Sequence, residues 1–164
     1  MPAKWKGKEI ELVFGGVMTD TEVRINGKPA GPVHQGGFQQ FSYSVASLLN
    51  YGTTNTLEVK VSEMSADTSV NAAERQADYW VFGGIYRPVW FEIHPAAHIR
   101  HVAVDAKASG VLTCSIETNV RGQAVIKAFV RKNNRVVSPV FTGEVDRKSG
   151  EATCQTSLHH PLLW

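Results

Sequence analysis

Apolar and polar side chains alternate with a period of two along most of the chain, the pattern of half-buried strands. Ile10, Leu12 and Phe14 alternate with Glu9, Glu11 and Val13, and Val23 and Ile25 alternate with Glu22, Arg24 and Asn26. Phe41, Tyr43 and Val45 face one way, with Ser42 and Ser44 the other. Leu57, Val59 and Val61 alternate with Glu58 and Lys60, and Val89, Phe91 and Ile93 keep the same rhythm. Successive strand side chains point to opposite faces, so each run predicts a strand with one face in a core. A sustained helical period of about 3.6 residues is absent. Helical turns are expected near Val45–Leu49 and around Ala72–Arg75.

Turn residues separate the strands. Asn26-Gly27-Lys28 predicts a tight hairpin, because both central positions of such a turn need positive φ. Gly36-Gly37 and Gly83-Gly84 mark places where a residue without Cβ is at ease, and Tyr51-Gly52-Thr53 closes another turn. Many short strands at this spacing predict a sandwich or jelly roll. From Ser62 to Phe82 no strand pattern is visible, and a loop that long tends to be functional. It ends in Asp78-Tyr79-Trp80-Val81-Phe82, too aromatic for disorder. The expectation is an ordered binding loop, or a loop covered by a neighbouring domain.

A boundary falls near His94-Pro95-Ala96-Ala97, giving predicted domains at 1–96 and 97–164. Beyond it alternation restarts with Ile99, Val102 and Val104, then Leu112, Cys114 and Ile116, then Ala124–Val130, Val136–Phe141 and Ala152–Leu158. That makes about five strands, where an immunoglobulin-like sandwich has about seven. The run stops at Trp164, a large apolar side chain that needs a partner, so this domain is expected to be truncated.

The totals narrow the function classes. With 43% hydrophobic and 20% charged residues over 164 positions, the chain has the make-up of a packed protein. A net charge of +2 with scattered Lys and Arg argues against a nucleic-acid partner. No apolar run approaches the roughly 20 residues of a membrane helix, so no membrane partner is expected. The first residues lack the apolar stretch of a signal peptide, which leaves periplasm and cytoplasm both open. Cys114 and Cys154 lie outside any metal-ligand spacing, and two buried thiols or a bond between two strands both fit them. His94, His98 and His101 match no zinc motif and read as surface residues.

The motifs, taken in order, resemble the front of glycoside hydrolase family 2, the β-galactosidases, β-glucuronidases and β-mannosidases. Trp5-Lys6-Gly7-Lys8 leads the first strand, and Val23-Arg24-Ile25-Asn26-Gly27-Lys28 is similar to the family's strand and hairpin. His34-Gln35-Gly36-Gly37-Phe38 with Phe41 is similar to its Gly-Gly-aromatic loop. Asp78-Tyr79-Trp80-Val81-Phe82-Gly83-Gly84-Ile85-Tyr86-Arg87-Pro88-Val89 resembles its most specific stretch. The resemblance implies an all-β fold. A galactose-binding-like jelly roll, lacking its first strand, would be followed by a truncated immunoglobulin-like sandwich ending near Pro161-Leu162-Leu163-Trp164. It also implies that the catalytic carboxylates belong to a TIM barrel outside this chain. No residue is therefore assigned a catalytic role, and the acidic residues such as Glu9, Glu11, Glu58 and Glu117 read as solvated strand faces.

The candidate substrate-binding residues are Asp78, Tyr79 and Trp80. In the family the matching Asp reaches toward the sugar or a cation in the barrel pocket. The alternative is an Asp that orders its own loop. Trp80 is a candidate for stacking on a sugar ring, although such a Trp is more often packed. Phe82 is expected in the core and His34 in solvent. Asn26, Gly27, Gly36, Gly37, Gly83, Gly84 and Arg87 are expected to be structural, with Arg87 paired to a carboxylate. No cofactor or metal is assigned, and a cation beside Asp78 is implied for the intact enzyme only. The expected partners are carbohydrate, the rest of the parent enzyme, and further copies joined through exposed strand edges. The predicted role is non-catalytic pocket shaping in a retaining β-glycoside hydrolase. The rivals are a stand-alone carbohydrate-binding module and an immunoglobulin-like interaction domain.

Overall fold

The structure, a computed structural model, describes residues 1–76, 78, 80–159 and 161. Tyr79, a candidate substrate-binding residue, and Leu162, Leu163 and Trp164, at the expected end of the truncated domain, lie outside the described residues. The chain divides into two compact units, Met1–Ala96 (unit 1) and Ala97–Trp164 (unit 2).

Unit 1 carries strands β1 Glu9–Phe14, β2 Val17–Met18, β3 Asp20–Ile25, β4 Lys28–Pro29, β5 Phe41–Ser44 and β6 Leu57–Ser62. Helix α1, Thr68–Arg75, follows, then β7 Gly84–Ile85 and β8 Val89–His94. Antiparallel sheets run β5-β1-β8 and β4-β3-β6, and β2 pairs with β7. Ile10, Leu12 and Phe14 from β1 meet Val23 and Ile25 from β3, with Val17, Tyr43, Val45 and Leu49 completing one core. Val13, expected on the outer face with Glu9 and Glu11, is buried as well. It lies mid-sheet opposite Trp90 of β8, whose large side chain shares its face.

The Asn26-Gly27 turn adopts φ of 52° and 76°, as the hairpin signal requires. Asn26 does more than turn the chain. Its Nδ2 donates to Leu48 O at 2.9 Å and to Asn55 Oδ1 at 2.8 Å, and its Oδ1 accepts from Thr56 N at 3.0 Å.

The stretch without strand pattern contains α1, which is longer than the helical turn expected around Ala72–Arg75. Asp67 caps it, accepting from Ser69 N at 2.8 Å. No α1 residue is buried, so the helix has no apolar stripe to betray it, and the cap was the available signal.

Unit 2 carries β9 Ile99–Ala106, β10 Val111–Thr118, β11 Val125–Ala128, β12 Arg131–Lys132, β13 Arg135–Val136, β14 Phe141–Glu144 and β15 Glu151–Ser157. Sheet β15-β10-β9 and the pairs β11-β14 and β12-β13 are antiparallel. The core comprises Cys114, Ile116, Phe141 and Cys154. The expected strand Val136–Phe141 is broken. Pro139 has no N–H to give a ladder, and Ser138 Oγ instead accepts from Val130 N at 2.8 Å. Cys114 and Cys154 are free, buried thiols.

Candidate functional site

Two stretches far apart in sequence, His34–Phe38 and Asp78–Arg87, share one network in unit 1. Gly37 N donates to Glu74 Oε2 of α1 at 2.6 Å. From the other side, Tyr86 OH donates to Gly37 O at 2.8 Å, and Arg87 Nη1 donates to Phe38 O at 3.2 Å. The Gly-Gly loop is thus clamped between the helix before Asp78 and the residues after Gly84. The approach at Gly37 is close: a Cβ there would lie 2.7 Å from Met18 Cε and 3.2 Å from Glu74 Oε2, so both side-chain ends would have to move aside.

The flanks of the aromatic segment are also held. Arg75 at the end of α1 donates to Glu63 O at 2.9 Å and pairs with Glu63 Oε1 at 3.1 Å. Phe82 stacks on Tyr86 at 4.4 Å between centroids, with planes 6° apart. Between these anchors Asp78 is exposed, and Trp80 is 84% exposed. Among the described residues of this chain, then, the Trp80 indole is exposed rather than packed. Phe82 leaves the core too, at 42% exposure. Stacking on Tyr86 hides one face of the ring and leaves the other open. Gly83 and Gly84 line a groove of about 340 Å³ with Met18, Val61, Glu63, Arg75, Val81 and Phe82. Asp78 and Trp80 are not among the residues lining it.

Arg87 does not meet the expected carboxylate. Its guanidinium donates to carbonyls, Gly15 O at 3.4 Å as well as Phe38 O, and lies 5.2 Å from the Tyr86 ring centroid. The side chain is exposed, so water solvates the charge and a buried counter-ion is not needed. His34 is likewise not simply solvent-exposed. A backbone bridge to Thr21 seats it on the sheet, its ring stacks on Phe41 at 3.7 Å, and Nε2 bonds the Gly36 carbonyl at 3.0 Å. Burial lowers the His34 pKa, against the Gly36 carbonyl and the charges of Glu74 and Asp20, which favour the cation.

Asp20 and Glu74 give no signal in the alternation, yet both organise the region. Asp20 is 7% exposed, and its Oδ2 accepts from Ala66 N at 2.8 Å and Gln35 Nε2 at 3.2 Å. It thereby ties the His34–Phe38 loop to the chain entering α1. Burial pushes this carboxyl up, but the Ala66 N–H, the Ser65 hydroxyl and the Gln35 amide together hold it below the ordinary value of 3.8. Asp78 and Trp80 thus lie exposed between the two held flanks, Arg75 and Phe82. Among the described residues no cluster of His, Cys, Asp and Glu is arranged to hold a metal ion.

No family model matches the chain. It is 29% identical over 168 residues to a β-galactosidase of Thermoanaerobacter pseudethanolicus, covering 98% of this chain and 22% of that protein. A solved β-glucuronidase of Bacteroides uniformis superposes over 100% of this chain and 21% of its own, at 26% identity and a TM-score of 0.76. A glycosyl hydrolase family 2 member from Bacteroides cellulosilyticus shares the fold, covering 100% of this chain and 22% of its own at 19% identity and a TM-score of 0.72. This chain thus spans less than a quarter of the length of each of these proteins. The ordered motifs, the all-β sandwich and the full-length likeness lead to one conclusion: the chain is similar throughout to a portion of the β-galactosidases and β-glucuronidases of glycoside hydrolase family 2.

Proposed function

We propose that this chain is a non-catalytic, carbohydrate-facing portion of a retaining β-glycoside hydrolase, shaping the pocket in which a terminal β-linked sugar is cleaved. Residues 1–96 serve as the sugar-binding jelly roll and 97–164 as part of an immunoglobulin-like support. Bond cleavage needs two carboxyl groups about 5–9 Å apart, and these are supplied by the catalytic barrel of the parent enzyme. Relatives named as β-galactosidases and β-glucuronidases, matched over 22% or less of their length, support this division of labour.

The observation that carries the carbohydrate-facing reading is Trp80, 84% exposed on a segment braced at both flanks. An indole face complements the apolar face of a pyranose, and the nearby carboxylate of Asp78 accepts hydrogen bonds from sugar hydroxyls. Placing such groups on a braced segment lowers the ordering cost of binding. The same exposure gives the carbohydrate-binding-module reading its support, since this ring is open without any other domain.

Titration of the ¹⁵N-labelled chain with methyl β-galactoside and methyl β-glucuronide tests the proposal. The expected result is a saturable shift of one indole N–H signal, the one missing in Trp80→Ala, with Asp78→Asn weakening the response. Absence of any shift at Trp80 up to solubility-limited sugar would overturn the carbohydrate-facing reading.

A further inference from the structure

The chain's two cysteines face each other across unit 2. Cys114 of β10 is the direct antiparallel partner of Cys154 of β15. They are 8% and 0% exposed and, with Ile116 and Phe141, form the core. Leu158 N bonds Gly110 O and Thr118 N bonds Gly150 O, both at 2.8–2.9 Å and in the same register, so the cysteines occupy a hydrogen-bonded pair position. Cα atoms at such a position lie about 5.5 Å apart, inside the roughly 4.4–6.8 Å range of natural disulfides. The Cβ atoms have to draw together from about 5 Å to about 4 Å. β15 is the end strand of its sheet, paired on the Cys114 side only, and Gly143 of β14, without a side chain, lies against Cys154 on its other side.

The sulfurs also lie inside the buried cluster of unit 2, beside Ile116 and Phe141.

We propose that Cys114 and Cys154 form a reversible disulfide between β10 and β15, made by exchange with a small-molecule disulfide such as oxidised glutathione. Cys114, the more accessible thiol, loses its proton, and its thiolate attacks the small disulfide. One glutathione leaves and a mixed disulfide remains. Cys154 then loses its proton, its thiolate attacks Cys114 Sγ, and the second glutathione departs. Two protein thiols are oxidised and one small disulfide is reduced to two thiols. Burial, and the nearness of Cys114, push the Cys154 thiol up, which slows its attack; the step is favoured instead by position, since the Cys114 sulfur lies directly across the ladder. The geometric adjustment leaves strain in the bond, so it opens again in a reducing thiol pool.

The test is to refold the full chain from urea in a glutathione redox buffer, so that burial imposes no kinetic barrier, and then trap and weigh it. The expected product has lost two hydrogens, shows no titratable thiol on denaturation, and yields a linked Cys114–Cys154 peptide on digestion. Relative to the reduced protein, the unit 2 melting midpoint rises by roughly 5–15 °C. Cys154→Ser should stop at a glutathione adduct or a free thiol on Cys114. Recovery of wild-type chain with both thiols free, or carrying glutathione without the internal link, would overturn the proposal.

Discussion

In unit 1, Ile10, Phe14, Val17 and Val45 are 0% exposed and Leu12, Val23 and Ile25 lie within 2%. In unit 2 Cys154 reaches 0%, while Ile116, Cys114 and Phe141 lie between 4% and 8%. Around that thinner core, Val102, Val104, Val125, Val136 and Val140 are 47–60% exposed. The alternating pattern is equally clear in both units, so alternation reports which way a side chain points and says nothing of whether anything covers it. Depth of core matters for the site as well. A ligand-facing segment needs rigid support, and the clamped loops of unit 1 stand on the better-packed of the two cores.

The sharpest way to break this contrast is to empty each core in turn. Phe14 is fully buried and stacks on Phe41 at 4.9 Å. Phe14→Ala is expected to destabilise unit 1 by roughly 4 kcal/mol, through lost transfer energy and the cavity left behind. Phe141→Ala should cost unit 2 nearer 2–3 kcal/mol, because a thin core collapses more easily around the gap. Urea titrations read by hydrogen exchange, amide by amide, separate the two units. An equal or larger loss at Phe141 would remove the contrast in core depth.

A middle-sized effect comes from the polar bracing around Asp20 in unit 1. Asp20 is held below 3.8 by its hydrogen bonds in the folded state and returns to 3.8 on unfolding. Its stabilisation is therefore complete above the unfolded value and is lost as pH falls through the lower folded value. Asp20→Asn should cost about 1–3 kcal/mol at neutral pH and flatten the acid limb of the unit 1 stability curve. The check is the urea midpoint of wild type and variant measured downward from neutral pH; parallel curves would mean that Asp20 braces nothing.

Much of unit 1 was legible because its signals are local. Asn26-Gly27 announces its own turn, and β1, β3 and β5 announce their inner faces. The site was legible only in part. Glu74, Asp20 and Tyr86 act through partners 15 to 49 residues away, and no local pattern encodes such a meeting. Arg87 and His34 failed for the same reason: a carbonyl cluster and a ring stack come from the fold, not from the neighbours in sequence. The expectation for Trp80 came from how Trp usually behaves, whereas its exposure in this chain is set by the fold around it.

The smallest expected effect sharpens the comparison within unit 1 itself, between the clamp and what it presents. Tyr86 supports the segment through its bond to the Gly37 carbonyl and its stack on Phe82. Tyr86→Phe keeps the stack and loses the bond, which should cost about 1 kcal/mol. Trp80 has no comparable duty in holding the fold, so Trp80→Ala should move the unit 1 stability by less than about 0.5 kcal/mol. A residue whose removal leaves the fold unchanged while abolishing the sugar-induced signal is there for the ligand. Thermal unfolding of both variants decides the point: a loss at Trp80 as large as that at Tyr86 would make the indole part of the brace, and its exposure would then need another explanation.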